Sequence, residues 1–518
     1  MARWGGKGLS GGKMRGLDKI CAVAAGANAS SLWRQLQIAC KSARTVELRL
    51  DWLANDAEIA GFLKLLGRDK PRAALIATCR RRPGGGRYSG SIADQLRILS
   101  EAVRAGCEWY DLEIESARRC LPELLHVMLG DARQLASAHF FKRMPPNLKR
   151  VEKELWAGHP DAIKIAAQCE TIAESLKLLK MARGRRDVVA VPMGEVALPA
   201  RVLALREGSA LAYAAVESAT APGQLSLEQM KRLYRADKLT KKTRVYGVIG
   251  NPISHSLSPV MQNAGFQARG MDAVFLPFLA RDLRDFRAAI GSLRIAGFSV
   301  TLPHKQAIMR HLSECDPLAA AIGAVNTVVV RGGGKLYGYN TDYVGVLRAL
   351  ENRIALRGSR VLILGAGGAA RAVAFALAQA GATPCICARR PAKARELARA
   401  AGGQLVERAR LRHEFFDAIV NATPVGMYPH AGESPLAEKE LNCRLVFDTI
   451  YRPRQTKLLQ LAARRGIETL SGVEMFVAQG TAQWEIWTGE RAPEKIMRAA
   501  ALKALDARDR AATIGRAR

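Results

Sequence analysis

Arg360-Val361-Leu362-Ile363-Leu364-Gly365-Ala366-Gly367-Gly368-Ala369-Ala370 carries an apolar run straight into a glycine-rich turn. The spacing Gly365-x-Gly367-x-x-Ala370 then opens a helical stretch that reaches about Gly381. A strand, a tight turn and a helix start are what a pyrophosphate needs. One glycine makes the bend, the next lets the backbone come close, and the helix N-terminus offers unpaired N–H groups. Gly365, Ala366, Gly367, Gly368 and Ala369 are therefore candidate cofactor contacts in an α/β nucleotide-binding domain. The following strand, Pro384 to Ala388, ends in Arg389 and Arg390, where NAD-binding folds usually show an acid. Arginines there can pair with a 2′-phosphate, so NADP(H) is the expected cofactor.

Upstream, Gly297-Phe298-Ser299-Val300-Thr301-Leu302-Pro303-His304-Lys305 reads as a short strand broken by proline, which delivers Lys305 to a turn. Gly338-Tyr339-Asn340-Thr341-Asp342 delivers a carboxylate in similar surroundings. A lysine and an aspartate on two strand-end loops, ahead of a dinucleotide turn, suggest acid–base chemistry coupled to hydride transfer. A surface ion pair is the plain alternative. Earlier still, Val245 to Gly250 reads as a strand, and Ser256-Leu257-Ser258-Pro259 as a helix start with Ser258 at the N-cap and Pro259 behind it. Two hydroxyls beside a helix N-terminus make a suitable carboxylate site.

From Ile20 to about Ala221 short apolar runs alternate with helical stretches, near Cys21–Ala25, Val46–Leu50, Ala74–Cys79, Trp109–Ile114, Gln134–His139, Ala162–Ala166, Val188–Val191 and Ala210–Ala215. Such repeats predict a (β/α)8 barrel. Strands covered on both faces should be almost wholly apolar. Yet Glu47 and Arg49 share one face, Asp111 and Glu113 another, and Lys164 stands between Ile163 and Ile165, so these charges point inward. Arg80 and His139 close their strands, at the barrel end where catalytic groups gather. Internal salt bridges that only support the barrel are the bland alternative. An inward lysine has its charged form disfavoured, which frees an amine for imine formation. A nearby histidine can move protons.

The 518 residues allow two to four domains. A formal net charge of +32 would attract anionic small molecules. The basic residues are spread along the chain without interleaved aromatics, which argues for a solvated surface over a specific nucleic-acid site. No apolar run reaches transmembrane length, so no membrane association is expected. The start, rich in Gly, Lys and Arg, lacks the apolar stretch of a secretory signal and reads as a basic tail. The ten cysteines show no metal-ligand spacing. No metal is expected, and reduced thiols fit a cytoplasmic protein.

Two family resemblances then emerge. Glu47-Leu48-Arg49, Thr78-Cys79-Arg80, Asp111-Leu112-Glu113, Ser137-Ala138-His139, Ala162-Ile163-Lys164-Ile165-Ala166 and Thr220-Ala221-Pro222-Gly223-Gln224 resemble type I 3-dehydroquinate dehydratases. The resemblance implies an imine on Lys164, proton transfer by His139 and orientation of His139 by Glu113. It further implies that Glu47, Arg49 and Arg80 hold substrate hydroxyls, and that Arg201, Thr220 and Gln224 hold its carboxylate. Phe140 stands where the family usually has Asp, and Pro199-Ala200 where a small polar residue is common.

Ser256-Leu257-Ser258-Pro259, Val300-Thr301-Leu302-Pro303-His304-Lys305, Gly323-Ala324-Val325-Asn326-Thr327, Asn340-Thr341-Asp342, Asn421-Ala422-Thr423-Pro424-Val425-Gly426-Met427 and Gly472-Val473-Glu474-Met475 resemble shikimate dehydrogenases. This implies catalysis by Lys305 and Asp342, carboxylate binding by Ser256 and Ser258, and ring contacts from Thr301, Asn326, Tyr451 and Gln479. Thr423 and Gly472 would join the glycine turn, Arg389 and Arg390 around NADPH. Ala388-Arg389-Arg390 replaces the usual Asn-Arg-Thr, exchanging an amide for a charge.

Together these imply an α/β chain: a basic tail over 1–18, a TIM barrel over 19–235, a substrate-binding domain over 244–345 completed by helices at about 476–505, a Rossmann domain over 346–475 and a basic tail over 506–518. The implied substrates are 3-dehydroquinate and 3-dehydroshikimate or shikimate. Wider use of quinate, or a non-catalytic metabolite sensor, are the rival readings; retention of Lys164, His139, Lys305 and Asp342 speaks against the sensor.

Overall fold

The computed structural model describes residues 14, 17–217, 223–351 and 353–516; Thr220 and most of the expected N-terminal tail lie outside the described residues. The chain divides into two compact units, one running up to Thr243 and including Arg284–Ala289, the other taking Arg244–Leu283 and the chain from Ile290 on.

The first unit is an eight-stranded parallel barrel: β1 (Ile20–Ala24), β2 (Thr45–Arg49), β3 (Ala74–Thr78), β4 (Trp109–Glu113), β5 (Arg133–Phe140), β6 (Ala162–Gln168), β7 (Val188–Met193) and β8 (Ala212–Ala215). Neighbours in sequence pair in order, and β1 closes onto β8. At the remaining seam, Ala210 N donates to Val188 O at 2.9 Å and Ala190 N to Ser209 Oγ at 3.0 Å, so the barrel is nearly closed.

Strand alternation sorts the side chains. Ala136, Ala138, Ile163, Ile165, Val188 and Ala190 face outward, against Leu148, Val151 and Leu155 of one helix and Leu178 and Leu179 of the next. Inside, Cys21, Ile76, Trp109, Leu135, Ala162 and Val189 form an apolar floor, and Met14 and Leu17 pack against it. Burying such side chains is worth about 1.5–3 kcal/mol each, enough to sustain a polar layer above. The stretch that follows the barrel is anchored to it: Lys241 Nζ lies 2.9 Å from Glu207 Oε2, and Arg206 Nε donates to Thr240 O at 3.1 Å.

The second unit holds two sheets. The first contains β9 (Arg244–Gly250), β10 (Ala273–Leu279), β11 (Ile295–Val300), β12 (Glu314–Cys315), β13 (Thr327–Arg331) and β14 (Lys335–Tyr339), in the order β10-β9-β11-β13-β14-β12. β13 runs antiparallel to β11 and β14. The helix Val473–Thr488 covers it from the far end of the chain, with Trp487 Nε1 donating to Val328 O at 3.0 Å. A final helix, Glu494–Arg516, runs through much of the expected C-terminal tail.

The second sheet is wholly parallel: β15 (Arg360–Leu364), β16 (Thr383–Cys387), β17 (Gln404–Leu405), β18 (Phe416–Asn421), β19 (Cys443–Asp448) and β20 (Glu468–Ser471). Its order is β17-β16-β15-β18-β19-β20. The chain reverses direction of travel between β15 and β18, and the crevice at their carboxyl ends is where such sheets bind ligands.

Two candidate active sites

Above the barrel floor, Glu47, Thr78, Asp111, Ser137 and Lys164 form one buried polar layer. Lys164 Nζ lies 3.1 Å from Glu47 Oε1 and ion-pairs with Asp111 Oδ2. Tyr213 of β8 adds its hydroxyl at 3.4 Å. Two carboxylates therefore meet the inward lysine.

Asp111 is the hub of this layer. Its Oδ1 accepts from Ser137 Oγ at 2.6 Å, and Arg80 Nη2 approaches its two oxygens at 3.3 and 3.4 Å. Burial alone would raise its carboxyl, but Lys164 and Arg80 outweigh burial and hold it well below the usual carboxylate range. Sequence reading placed Asp111 on the inner face without assigning it a role; its shared face with Glu113 was the available signal. Arg49 makes a bidentate pair with buried Asp51, at 2.9 and 2.8 Å.

His139 is half-buried at the end of β5. Burial, reinforced by Arg80 and Lys164, pushes its imidazole well below 6.5, which favours the neutral ring. Glu113, expected to orient this ring, makes its hydrogen bonds with other groups. Glu113 Oε1 accepts from Arg81 N at 3.2 Å and Ser116 Oγ at 3.0 Å, and Oε2 from Gln95 Nε2 at 2.8 Å. Meanwhile His139 Nδ1 is buried without a hydrogen-bond partner. Strand ends thus bring Glu47, Arg80, Asp111, His139 and Lys164 together.

Arg201 sits nearer the mouth. Its Nε donates to Pro192 O at 2.6 Å, and Pro192 pairs with Ala167, three residues beyond Lys164. Burial lowers its guanidinium to about 10. Gln224 is half-buried.

The second unit encloses a cavity of about 1070 Å3, lined by every residue that the sequence predicted for this half. Lys305 Nζ lies 2.5 Å from Asp342 Oδ2. Asp342 Oδ1 accepts from Asn326 Nδ2 at 2.8 Å, and its backbone N donates to Asn340 Oδ1 at 3.0 Å. The carboxylate is thereby held by two groups, and the residue's backbone by a third. Asn326 Nδ2 reaches Gln479 Oε1 at 3.5 Å, and Thr341 Oγ1 donates to Gln479 O at 3.0 Å, tying the late helix to the aspartate loop.

One structural detail differs from expectation. The helix begins at Ser258 with Leu257 at the N-cap, and Ser258 N donates to Ser256 Oγ at 3.3 Å. Ser256 therefore accepts the first N–H of the helix. The Ser258 hydroxyl makes no capping bond, and both serines line the cavity.

On the nucleotide side Gly365 adopts φ 113°, a conformation that a side chain would strain. Nothing approaches the Cβ position of Gly367, and the helix Gly368–Gln379 behind it has no side-chain cap. A Cβ on Gly368 would lie 3.2 Å from Lys305 Cβ, so the helix start abuts the lysine. Thr423 Oγ1 and N both donate to Asn421 Oδ1, at 2.7 and 3.0 Å, shaping the turn opposite. Arg389 and Arg390 lie on the same cavity. An uncapped helix start with open backbone and two arginines fits a phosphorylated dinucleotide. Arg452 and Gln483 also line the cavity and went unnoticed in sequence, because no chemical pattern of their own marks them out; Met427, part of the quoted Asn421–Met427 stretch, lines it too.

Fold and geometry define a class: a lysine-bearing TIM barrel joined to a two-domain dinucleotide-dependent dehydrogenase. Residues 20–241 match the type I 3-dehydroquinase family. Residues 248–328 match the shikimate dehydrogenase substrate binding domain, and 472–502 the shikimate 5′-dehydrogenase C-terminal domain. A chloroplastic bifunctional 3-dehydroquinate dehydratase/shikimate dehydrogenase from Arabidopsis thaliana is 34% identical over 87% of this chain and 78% of its own. An NADP+-dependent shikimate dehydrogenase from Methanothermobacter thermautotrophicus is 42% identical over 52% of this chain and 99% of its own. A crystal structure of the Thermus thermophilus shikimate dehydrogenase with NADP(H) and shikimate is 36% identical, with a TM-score of 0.47, covering 51% of this chain and 100% of that one. The chain belongs to the family of bifunctional 3-dehydroquinate dehydratase/shikimate dehydrogenases. Among the described residues no helix is long and apolar enough to cross a membrane.

Proposed function

We propose that the barrel dehydrates 3-dehydroquinate to 3-dehydroshikimate and that the second unit reduces this product to shikimate with NADPH. What carries the reading is that each half presents one lysine beside carboxylates: Lys164 with Glu47 and Asp111, Lys305 with Asp342.

In the barrel, Lys164 Nζ attacks the C3 carbonyl, and water leaves as the imine forms. The imine draws electron density from C2, where neutral His139 removes a proton. The imidazolium then protonates the C1 hydroxyl, which departs as water and leaves the ring double bond. Hydrolysis of the imine frees Lys164. Glu47, Arg49 and Arg80 hold the ring hydroxyls; Arg201, with Thr220 and Gln224, takes the carboxylate. Glu113 acts on the Arg80–Arg87 turn.

In the second unit, NADPH when bound supplies the hydride that reaches the ketone carbon. Negative charge gathers on the ketone oxygen, where Lys305 donates a proton, and Asp342 keeps the ammonium aimed at it. Ser256 and Ser258 bind the substrate carboxylate, while Thr301, Asn326, Tyr451 and Gln479 fix the ring. Gly365, Ala366, Gly367, Gly368, Ala369, Thr423 and Gly472 hold the dinucleotide, and Arg389 with Arg390 meets the 2′-phosphate. The enzyme works in the cytoplasm, a reading supported by ten cysteines that all remain free thiols.

Borohydride reduction in the presence of 3-dehydroquinate tests this directly. One adduct is expected, on Lys164. No adduct, or one that survives Lys164→Ala, would sink the assignment.

A further inference from the structure

The imidazole of His139 has no side-chain orienter on Nδ1. That atom is buried and unpartnered, and the carboxylate expected to hold it, Glu113, is engaged by Gln95, Ser116 and Arg81 N. A neutral ring without a hydrogen bond on Nδ1 has neither its tautomer nor its rotation fixed by a partner there. Proton transfer from a substrate carbon nevertheless needs a defined ring position.

One group does constrain the ring. Phe141 stacks on His139, with centroids 5.9 Å apart and planes 17° from parallel. Two residues on along an extended chain, it points to the same side. Phe141 is 41% exposed, so little core packing holds it from outside. Its backing is the turn Gly84-Gly85-Gly86. A Cβ on Gly85 would sit 2.0 Å from Phe141 Cε2, and Gly85 has φ 77°, so the bare turn lies flush against the ring.

The same turn rests on site residues on its other sides. A Cβ on Gly84 would meet Glu113 Cγ at 2.7 Å, and one on Gly86 would meet Arg80 O at 2.0 Å. Its ends are tied by Arg81 N to Glu113 and by Arg87 N to Asp51 Oδ2 at 3.1 Å. The contacts form a chain from Glu113 through the glycine turn and Phe141 to His139.

We propose that Phe141, backed by the glycine turn that Glu113 supports, is the positioning residue that holds His139 for proton transfer. The inference rests on the reading of His139 as the proton-transfer group of the barrel. Stacking by an aromatic here does the work that a carboxylate does for a hydrogen-bonded histidine. It leaves Nδ1 unpolarised and the ring neutral.

The test uses the full-length chain with Phe141→Ala, Gly85→Ala and Phe141→Tyr. Phe141→Ala is expected to lower dehydratase kcat roughly 10- to 100-fold, with KM for 3-dehydroquinate within about twofold, because general acid–base catalysis alone is worth at least that much. Borohydride trapping on Lys164 should persist, since imine formation does not use the ring. A deuterium isotope effect at C2 should grow as proton removal becomes limiting. Gly85→Ala, which displaces the Phe141 ring, should reproduce this pattern, and Phe141→Tyr should restore most of the rate. NADPH-dependent reduction of 3-dehydroshikimate, unchanged in all three, reports intact folding of the second unit. An unchanged kcat in Phe141→Ala would overturn the proposal, as would a raised KM alone or a parallel loss of trapping. Absence of trapping in the unmodified enzyme would instead overturn the dehydratase reading on which the proposal stands.

Discussion

Asp111→Asn removes one negative charge from a buried cluster and leaves its shape almost unchanged. In the native barrel Lys164, Arg80 and Arg49 are matched by Glu47, Asp111 and Asp51. Losing the Asp111 charge leaves Lys164 with Glu47 alone and takes from Arg80 its carboxylate. Breaking a buried pair in this way costs about 3–5 kcal/mol, because a desolvated cation is left uncompensated. The Ser137 hydroxyl retains an oxygen to donate to, so the loss is chiefly electrostatic. Amide hydrogen exchange reads the cost locally. Peptides spanning β4 to β6 should lose roughly two to three and a half orders of magnitude of protection, since about 1.4 kcal/mol is tenfold. Peptides from β15 to β19, in the other unit, should be unaffected. A loss below tenfold in β4 to β6, or an equal loss in both units, would refute the reasoning that Asp111 holds the barrel charges together.

Three further expectations follow from the same geometry. Replacing Arg389 and Arg390 together by Ala should raise KM for NADPH roughly tenfold or more while leaving NADH within about twofold, because only the former loses charge-assisted bonds; equal effects on both cofactors would place the arginines elsewhere. Burial pushes Asp448 up from 3.8 to about 6, against bonds from Thr456, Ile450 N and Asn421. The folded state therefore holds that proton more tightly, and this contribution, about 3 kcal/mol, is full below pH 3.8 and lost as pH rises through about 6. The stability of wild type relative to Asp448→Asn should accordingly fall between about pH 4 and 7 in urea unfolding, and a pH-independent difference would contradict it. Because burial, Arg80 and Lys164 keep His139 neutral well below 6.5, the acid limb that it imposes on dehydratase kcat/KM should lie well under pH 6.5. A limb at or above that value would show the ring to be less desolvated than its place in the barrel requires.

Much of this was legible in the residues. Lys164 between Ile163 and Ile165 could only point inward once eight strands were recognised, and period two settled the faces of Glu47, Arg49, Asp111 and Glu113. The glycine turn at Gly365 and the proline-delivered Lys305 were equally plain, because their geometry is encoded within a few residues. The failures share a cause. Alternation assigns a face but not the height or angle at which side chains meet across a barrel. Asp111 therefore went without a role although it contacts Lys164 directly, and Glu113 was expected at His139 although it turns toward Gln95 and Ser116. The helix start moved by one residue: Ser258 opens the helix, and its N–H donates to Ser256 Oγ. Phe141 gave no signal at all; its importance depends on Gly85, far away in sequence.

A single coupled assay bears most directly on the claim of two lysines in two separate sites. Fed with 3-dehydroquinate and NADPH, the enzyme should oxidise NADPH and yield shikimate. Lys164→Ala should do neither from 3-dehydroquinate, yet reduce added 3-dehydroshikimate at the normal rate. Lys305→Ala should accumulate 3-dehydroshikimate with NADPH unspent. If either variant loses both steps together, or Lys164→Ala still consumes NADPH on 3-dehydroquinate, the two-site account is wrong.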